Sequence, residues 1–549
     1  MRRFVLALLL LAGAFVLAPF GAGASTGPSS GSGTTSGDEY GVRNCSQGLQ
    51  ICTEVKDAIG VNGAYTGHDE PSLLFYSNQQ GAGNSNLYRL RLPKDPHFMP
   101  QQDGSGATWN FQLRPAFWFG MAMCDTQSFP EYTDTCTPDS DSNIFDSADE
   151  TAGDYIGKHP GTAFMEMQFY PPGWVSWPPG VSCSATQWCA ALTIDSLNQN
   201  GNTGVPNNDD CLNRVGIEPV SFAFITHNGV PHAAPDPLSA FSPPYDSLTP
   251  NPATDLWMNS GDVLTVDMHD TADGFQVVIH DLTSGQSGSM TASVANGWQQ
   301  ILYEPGSDTC HEAPYAYHPM YGSSSEHTRV PWAAHSYNVA FSDEIGHFEY
   351  CNQADEDGNC LNNDEGLDDD DVGCFNADDS LLVQIGGCLG TDVDFDGSSY
   401  GRNWPGTGPN YGQDKKYHST SVNFTTPLFN GNHNYSRVAF ETDLPRIEAA
   451  DFGGSCDRLT GNGCTNPPPG AQFYPIYSTG TSTMNPSHNG HCVWQLGGTG
   501  IPGTTNTFGG NSTAEYGPLL FSDYPGPNPA TRHRTNNFHQ TLNYNPCPA

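Results

Sequence analysis

Apolar and polar residues alternate through the centre of the chain in a way that predicts β-strands. Every second side chain is apolar within Val263–Met268, and again within Phe275–His280. A period of two residues places side chains alternately on the two faces of a strand, so each segment has one buried face. Asp, Ser and Gly residues at 272–274 and 281–285 are typical of tight turns. Together with a third strand of small polar residues, Ser287–Ser293, these segments predict an antiparallel unit.

Similar short segments recur on both sides of this unit. Loops rich in Gly and Pro separate these segments, and the chain contains 61 Gly and 43 Pro residues. The sequence has neither heptads nor long amphipathic helical patterns. This pattern predicts an all-β fold, an antiparallel β-sandwich with long loops. Pro115 breaks one long apolar segment into two strands, and 234–252 is predicted as a loop without regular structure. The other predicted strands are Ser72–Tyr76, Leu87–Leu92, the two within Trp109–Cys124, one in the first part of Thr162–Trp177, Trp188–Ile194, Val220–Thr226, Trp332–Phe341, Ile345–Tyr350, Val438–Thr442 and Gln472–Tyr477.

The central unit resembles the scaffold of the glutamic peptidases, the eqolisins. A Ser-Gly-Asp turn at 260–262 leads into Val263–Met268, as in the family's "aGD" strand, and Val277–Gly285 follows as its partner strand. Val-Pro-Trp-Ala at 330–333 and Val-Ala-Phe at 339–341 are similar to the family's later motif. The resemblance implies a concanavalin-like β-sandwich. The whole chain also resembles secreted bacterial proteins of unknown function, which implies no chemistry.

The catalytic pair of that family is not matched. The family pairs a Gln on one strand with a Glu about a dozen residues before its Val-Pro motif. Tyr317 and His318 stand at that distance here, Glu326 lies four residues before the motif, and Thr193 replaces the Gln in 190–195. The resemblance therefore implies the fold and leaves the peptidase dyad unsupported.

One strand carries the best candidate for catalysis. Glu166, Gln168 and Tyr170 share one face of the predicted strand in Thr162–Trp177, with Met165 and Met167 on the other. The strand also resembles the E-x-D-x-x-E strand of β-sandwich glycosidases, although only Glu166 matches one of its acids. We expect Glu166 to activate water, Gln168 to hold an oxyanion, and Glu326 to protonate the leaving group. A polar outer strand face is the alternative interpretation.

Two tryptophans follow that strand on a Pro-rich segment. Trp174 and Trp177 are expected to bind ligand by stacking on sugar rings, and packing within the loop is the alternative. Two functions therefore remain open from the sequence. The first is a hydrolase acting on an extracellular polymer, either glycan or protein, and the second is a non-catalytic protein that binds glycans or surfaces.

The net charge of the chain limits which molecules it is expected to bind. The formal net charge is -40, with 19 basic and 59 acidic residues. Residues 1–24 have the basic start, apolar run and small residues of a signal peptide, which predicts a secreted, extracellular protein. Nucleic acids and anionic membranes are not expected as partners, because binding to phosphates requires a basic patch. The expected partner is an extracellular polymer or glycan, and the sequence does not define an oligomeric state.

Cysteine usage agrees with export from the cell. Sixteen cysteines, an even number, predict eight disulfides in an oxidising compartment. Close spacing predicts six local bridges, and two longer ones are predicted from the cysteines that remain. The eight predicted pairs are Cys45–Cys52, Cys124–Cys136, Cys183–Cys189, Cys351–Cys360, Cys374–Cys388, Cys456–Cys464, Cys211–Cys310 and Cys492–Cys547.

The order of segments predicts the organisation of the chain. A flexible leader at 25–37 precedes a sandwich domain at 38–354. An acidic, Cys-rich region at 355–403 follows, and 404–549 is expected to be a loop-rich part that packs on the sandwich or forms a second small β domain. Asp392, Asp394 and Asp396 alternate before a Gly, a spacing typical of loops that bind calcium. A structural calcium ion is therefore expected there, and a solvated loop without metal is the alternative.

Overall fold

The computed structural model describes part of the chain. The described residues are 43–44, 72–77, 85–94, 117–128, 163–170, 172, 183–184, 186–196, 198, 205–216, 219–240, 242–319, 338–340, 348–350, 383–385, 422–440, 477–484, 492–496, 501–502, 520–523, 533–536, 540–542 and 544–549.

Strands dominate this part of the chain. In chain order they are β1 Arg43–Asn44, β2 Ser72–Tyr76, β3 Ser85–Arg91, β4 Phe117–Met123, β5 Ala163–Tyr170, β6 Gln187–Asp195, β7 Val220–Phe224, β8 Met258–Asn259, β9 Val263–Thr271, β10 Gly274–Asp281, β11 Ser287–Ala292, β12 Gln299–Ile301, β13 Glu312–Pro314, β14 Asn338–Ala340, β15 Phe348–Tyr350, β16 Val383–Ile385, β17 Asn423–Phe424, β18 Leu428–Phe429, β19 His433–Asn434, β20 Arg437–Phe440, β21 Tyr477–Thr481, β22 Cys492–Leu496, β23 Leu520–Asp523, β24 His533–Asn536 and β25 Gln540–Leu542.

Most strands belong to two large antiparallel sheets. The first sheet has the order β25-β20-β2-β14-β4-β5-β6-β7, with β8 paired to β6. The second sheet has the order β11-β10-β9-β3-β17-β22-β21, with β18 and β19 attached to β3. Strands from residues 423–542 pair into both sheets, so the C-terminal region supplies part of each.

The two sheets face each other across one core. The first sheet contributes inward side chains such as Phe119, Met167 and Leu192, and the second contributes Tyr88 and Val266, all fully buried. The rings of Tyr88 and Phe119 stack across the interface with centroids 4.2 Å apart. Packing of two antiparallel sheets through their inner faces defines a β-sandwich, so the predicted fold class is confirmed.

The central unit forms where alternation predicts it. β9, β10 and β11 pair in register, with Val277 opposite both Met268 and Met290. These apolar side chains enter the core because every second residue points inward. The turn after β10 is stabilised by Asp281, whose Oδ1 accepts hydrogen bonds from the Thr283 and Ser284 main-chain N–H groups at 2.8 and 3.0 Å. Gly285 then adopts a φ of 79°, which glycine tolerates best.

The segment 234–252 has more regular structure than predicted. It contains helix α2, Pro237–Ala240, and a 3₁₀ helix, Asp246–Leu248, whereas α1, Asp209–Val215, precedes β7. Pro237 opens α2 because proline lacks the N–H that a first helical turn leaves unpaired. The Asp236 carboxylate accepts a hydrogen bond from the Ser239 N–H at 2.9 Å and caps the turn. Turns this short have no hydrophobic period, so periodicity did not predict them.

Three predicted disulfides are present. Cys183–Cys189 closes a local loop, Cys211–Cys310 joins α1 to the segment before β13, and Cys492–Cys547 fixes the C-terminal residues to β22. The described part of the chain holds no free cysteine. Each of the other five predicted pairs includes at least one residue outside the described part. Among the described helices, none is both long and apolar enough to cross a bilayer.

Candidate functional site

The first sheet carries the candidate site on its outer face, which points away from the sandwich core. Along β5, Met165, Met167 and Phe169 enter the core. Glu166 and Gln168 alternate with them and therefore lie on the outer face, as the sequence pattern predicts. Their separation by two positions places the two polar side chains next to each other on one strand.

Glu166, Gln168 and Tyr170 form a hydrogen-bonded line, which we name the polar row. The Tyr170 hydroxyl donates to Gln168 Oε1 at 2.5 Å. Gln168 Nε2 in turn donates to Glu166 Oε2 at 2.5 Å. The amide is thereby held between a donor and an acceptor. An amide nitrogen carries two N–H groups, so Gln168 has a second donor in addition to the one that Glu166 accepts.

The phenol at the end of the row fixes the direction of these hydrogen bonds. Burial raises the pKa of Tyr170 well above its ordinary value, and the nearby charges of Glu166 and Asp195 raise it further. Tyr170 therefore stays a neutral O–H donor at any physiological pH. Because its hydroxyl donates to the Gln168 oxygen, the amide nitrogen must face Glu166.

The strand register places one residue on either side of Glu166. In the strand register, Glu166 lies between Gly120 of β4 and Thr193 of β6. The Thr193 hydroxyl donates to the Glu166 main-chain oxygen at 3.0 Å. Gly120 and Thr193 are both buried. Thr193 thus lies directly beside Glu166 on the neighbouring strand.

The row is largely shielded from solvent. Glu166 is 7% exposed and Tyr170 is 3% exposed, whereas Gln168 is only partly buried. Trp118, opposite Gln168 on β4, and Thr193 are buried as well. Electrostatic interactions are stronger where water is excluded. The amide of Gln168 is therefore the part of the row that meets solvent most directly.

A cap segment, residues 234–240 and 242–250, covers the β6–β7 end of the outer face. Ala240 and Leu248 from this segment are buried in a small apolar cluster with Tyr170, Phe222 and Phe224. The Cys183–Cys189 disulfide belongs to the same cluster. The rings of Tyr170 and Phe224 meet edge to face with centroids 6.3 Å apart. The cap segment therefore forms one wall of the candidate site.

A second group of acids lies at the start of the cap segment. Burial raises the pKa of Glu312 to about 8, and hydrogen bonding and charge from Asp236 add to the shift. Glu312 accepts hydrogen bonds from the Leu238 N–H at 3.3 Å and from Gln299 Nε2 at 3.0 Å. One of the two carboxyl groups thus holds a proton at neutral pH, because two like charges so close cannot both ionise.

The other predicted site residues lie outside the described part of the chain. They are the proposed second carboxylate Glu326, the proposed stacking residues Trp174 and Trp177, and the proposed calcium ligands Asp392, Asp394 and Asp396. Within the described residues, no group of three or more His, Cys, Asp or Glu side chains could hold a metal ion. The calcium site at 392–396 stays a prediction.

Sequence reasoning missed the residues that support Glu166 and Gln168. Tyr170 has a local signal, since it continues the same strand face two positions after Gln168. Thr193 reaches Glu166 from a neighbouring strand 27 positions away, so only the register of β5 and β6 reveals it. The cap segment is equally non-local and has no period that would predict its packing.

Comparison with known proteins does not place the chain in a family. No family model matches the chain, and no curated protein matches it. Among solved structures, the chain is similar to the enzymatically active domain of tailspike protein 2 from bacteriophage CBA120. That match spans 57% of this chain and 27% of the tailspike chain, with 10% identity and a TM-score of 0.17. A TM-score of 0.17 does not indicate a shared fold. The chain is an antiparallel β-sandwich with a carboxylate–amide row on its outer face.

Proposed function

We propose that the protein is a secreted hydrolase that cleaves an extracellular polymer, with the polar row as its catalytic centre. The observation that carries the proposal is the pairing of Gln168 Nε2 with Glu166 Oε2 on the outer face of the sheet. The pair combines a carboxylate, which exchanges protons, with an amide that donates hydrogen bonds. Hydrolysis of acyl bonds needs both functions.

The roles follow from the atoms that each side chain presents. Glu166 takes a proton from water, and the water oxygen attacks the carbonyl carbon of the scissile bond. The second N–H of Gln168 donates to the oxygen on which negative charge develops. As the bond to the leaving group breaks, that group takes a proton, which we assign to Glu326. For a glycan substrate, the same two carboxylates would divide the acid and base roles.

Tyr170 acts as a positioning residue in this scheme. It does not reach the reacting atoms, but its hydroxyl fixes the amide of Gln168 by donating to Oε1. Without that hydrogen bond the amide would be free to rotate by half a turn and present its oxygen to Glu166. Two acceptors would then face each other, and the oxyanion would lose its donor.

The experiment is a screen of acid-denatured proteins and polysaccharides between about pH 3 and pH 8, with wild type beside Glu166→Gln. We expect Glu166→Gln to lower turnover by at least about a hundredfold, the low end for loss of acid–base catalysis. Gln168→Leu should lower it by about a hundred- to a thousandfold, as loss of an oxyanion donor does. Glu304→Gln is the matched control, because Glu304 is an exposed glutamate elsewhere on the molecule.

The variant Tyr170→Phe distinguishes the role of Tyr170 in orienting Gln168 from its role in packing. It keeps the ring in the apolar cluster and removes only the hydroxyl. Turnover should fall with the melting temperature nearly unchanged, and the loss should be smaller than for Gln168→Leu. Equal turnover of wild type and Glu166→Gln on every substrate that is cleaved would refute the assignment of Glu166.

Glycan binding without catalysis is the second candidate function. The deep burial of Glu166, at 7% exposure, favours it, since a purely structural carboxylate needs no access to substrate. In that case Trp174 and Trp177 would hold the glycan. Retention on a glycan column that Trp174→Ala or Trp177→Ala abolishes, with no hydrolysis of any substrate, would favour binding over catalysis.

A further inference from the structure

His232 connects the cap segment to the first sheet through both of its ring nitrogens. Nδ1 lies 2.8 Å from Asp255 Oδ1, and Nε2 lies 3.1 Å from the main-chain oxygen of Asp246. Asp246 is the first residue of the 3₁₀ helix in the cap segment. The imidazole ring also stacks on Phe224 of β7, with centroids 5.8 Å apart and planes inclined by 15°.

The two partners of the ring are both hydrogen-bond acceptors. A main-chain carbonyl can only accept. Both oxygens of Asp255 accept from other groups as well, from the Asn251 N–H at 2.7 Å and the Thr254 hydroxyl at 2.9 Å. A neutral imidazole has one N–H and one lone pair, so it satisfies only one of these acceptors. Only the imidazolium form donates to both.

The surroundings of the ring favour the charged form. Burial by itself lowers the pKa of His232, but the hydrogen bond and charge of Asp255 and the carbonyls of Asp246 and Thr249 outweigh it. The net shift of the His232 pKa is upward. Asp255 is fully buried and the His232 side chain is 9% exposed, so the pair is poorly screened by solvent.

Few charged groups face this ring within the described part of the chain. Asp255 comes from the loop before β8, and Asp246 and Tyr245 come from the 3₁₀ helix and its N-cap. β7 presents only the uncharged ring of Phe224. Nearby His227 bonds instead to the Ser287 carbonyl, through Nδ1 at 2.9 Å. Protonation at this point therefore depends on His232 and Asp255.

We propose that His232 is a proton-operated latch that holds the cap segment closed over the outer face of the first sheet. With both nitrogens protonated, the ring bridges Asp255 to the 3₁₀ helix. Loss of the Nε2 proton leaves a lone pair opposite the Asp246 carbonyl, and the two repel. The 3₁₀ helix then loses its attachment, while the Asp255 hydrogen bond and the stacking on Phe224 persist.

The latch acts on the wall of the candidate site. Leu248, at the end of the 3₁₀ helix, packs with Phe224 and Tyr170, and Tyr170 orients Gln168. Opening the latch would loosen that packing and expose the apolar side of the polar row. The latch is inferred from the contacts of His232, and only its effect on catalysis rests on the proposed function.

Hydrogen exchange of the intact protein tests the latch without any substrate. The probes are the Ala240, Leu248 and Thr249 amides, which donate to Asp236, Tyr245 and Asp246. Exchange is measured between about pH 5 and pH 9.5 and expressed as protection factors, so that intrinsic pH dependence cancels. Protection should fall as His232 loses its proton, by about tenfold for each unit by which its pKa exceeds the ordinary value. Amides of β10 should lose less protection, because they report only the change in global stability.

The variant His232→Phe keeps the stacking but has no donor. Its cap amides should be weakly protected at every pH, without the fall seen in wild type. His269→Phe is the matched control, because His269 also has a raised pKa but lies on the second sheet. If the cap amides of the wild-type protein are equally protected at pH 5 and pH 9.5, that result alone overturns the proposal. Retention of wild-type protection by His232→Phe would also overturn it.

Discussion

The two outer faces of the sandwich are built from the same kind of alternating strand, yet they have opposite characters. On the second sheet the outward positions of β9 and β10 are Thr265, Asp267, Gln276 and His280, which are half-buried or exposed. On the first sheet the outward positions carry the polar row together with buried aromatic residues, and Phe224 and its neighbours form a second apolar cluster under the cap segment. Burial of a face depends on what covers it, and only the covered face can exclude water from a carboxylate.

The largest expected difference between the faces comes from removing Tyr170. Tyr170→Ala should lower the free energy of unfolding by about 3–5 kcal/mol, as for other buried aromatic residues, because it opens a cavity beside Phe222 and Phe224. On the second sheet, His280→Thr changes an exposed outward position and should shift stability by no more than about 0.5 kcal/mol. Denaturant titration measures both. Similar losses would show that the faces do not differ in burial.

A matched pair of leucines tests the cap segment itself. Leu248 is 2% exposed in the cap, and Leu282 is 47% exposed in the turn after β10. Leu248→Ala should lower stability by about 2–4 kcal/mol, within the range for buried leucines. Leu282→Ala should change it by less than about 1 kcal/mol, since little apolar area is removed from contact. Thermal unfolding of the two variants measures both losses of stability. A small loss for Leu248→Ala would mean that the cap segment contributes little packing.

The acids at the start of the cap predict a dependence of stability on pH. The pKa of Glu312 is about 8 in the folded protein, above its ordinary unfolded value near 4.5. Its protonation therefore contributes stability fully below about pH 4.5, and that contribution is lost as the pH rises through about 8. Between pH 5 and pH 9 we expect a loss of roughly 1–2 kcal/mol, allowing for solvent screening of a half-buried group.

Glu312→Gln should remove that part of the pH dependence, because the amide stays neutral. Asp273→Asn, in the exposed turn between β9 and β10, should leave it unchanged. Denaturant midpoints at several pH values give the comparison. If wild type and Glu312→Gln lose stability in parallel between pH 5 and pH 9, the Glu312–Asp236 pair is not the cause.

The smallest effect on stability is expected on the exposed outer face of the second sheet. The hydrogen bond to Asp267 is the largest cause that raises the pKa of His269, so this pair stabilises the fold at acid pH and loses its effect as the pH rises through the raised pKa. The side chains are 31% and 45% exposed. His269→Gln should therefore cost about 0.2–1 kcal/mol at pH 5 and less at pH 9. Added salt should shrink the difference, and a salt-independent loss would point to packing instead.

Alternation in the sequence predicted several of the longer strands and which of their side chains share a face, but it did not predict short strands such as β12, β13 and β17. Strand β2 matches its predicted bounds, and Glu166 and Gln168 lie together as predicted. Alternation does not show which strands and loops lie next to each other in the folded protein. Thr193 and Gly120 flank Glu166 only because of strand register, and His232 reaches Asp246 only through tertiary contacts. Such contacts depend on loop conformation, which no short-range pattern encodes.

The pairing of early strands with late ones has a consequence for how the molecule assembles. β2 pairs with β20, and the Tyr435 hydroxyl reaches Asn86 across 349 positions of the chain. During synthesis from the N-terminus, β2 and β3 lack these neighbours until residues 435–440 have been made. Pairings between distant residues are slow to form, because the entropy of loop closure is lost before any contact compensates for it. The two sheets therefore cannot be completed before these late strands exist, and the incomplete sheets before that point are the species most prone to aggregate.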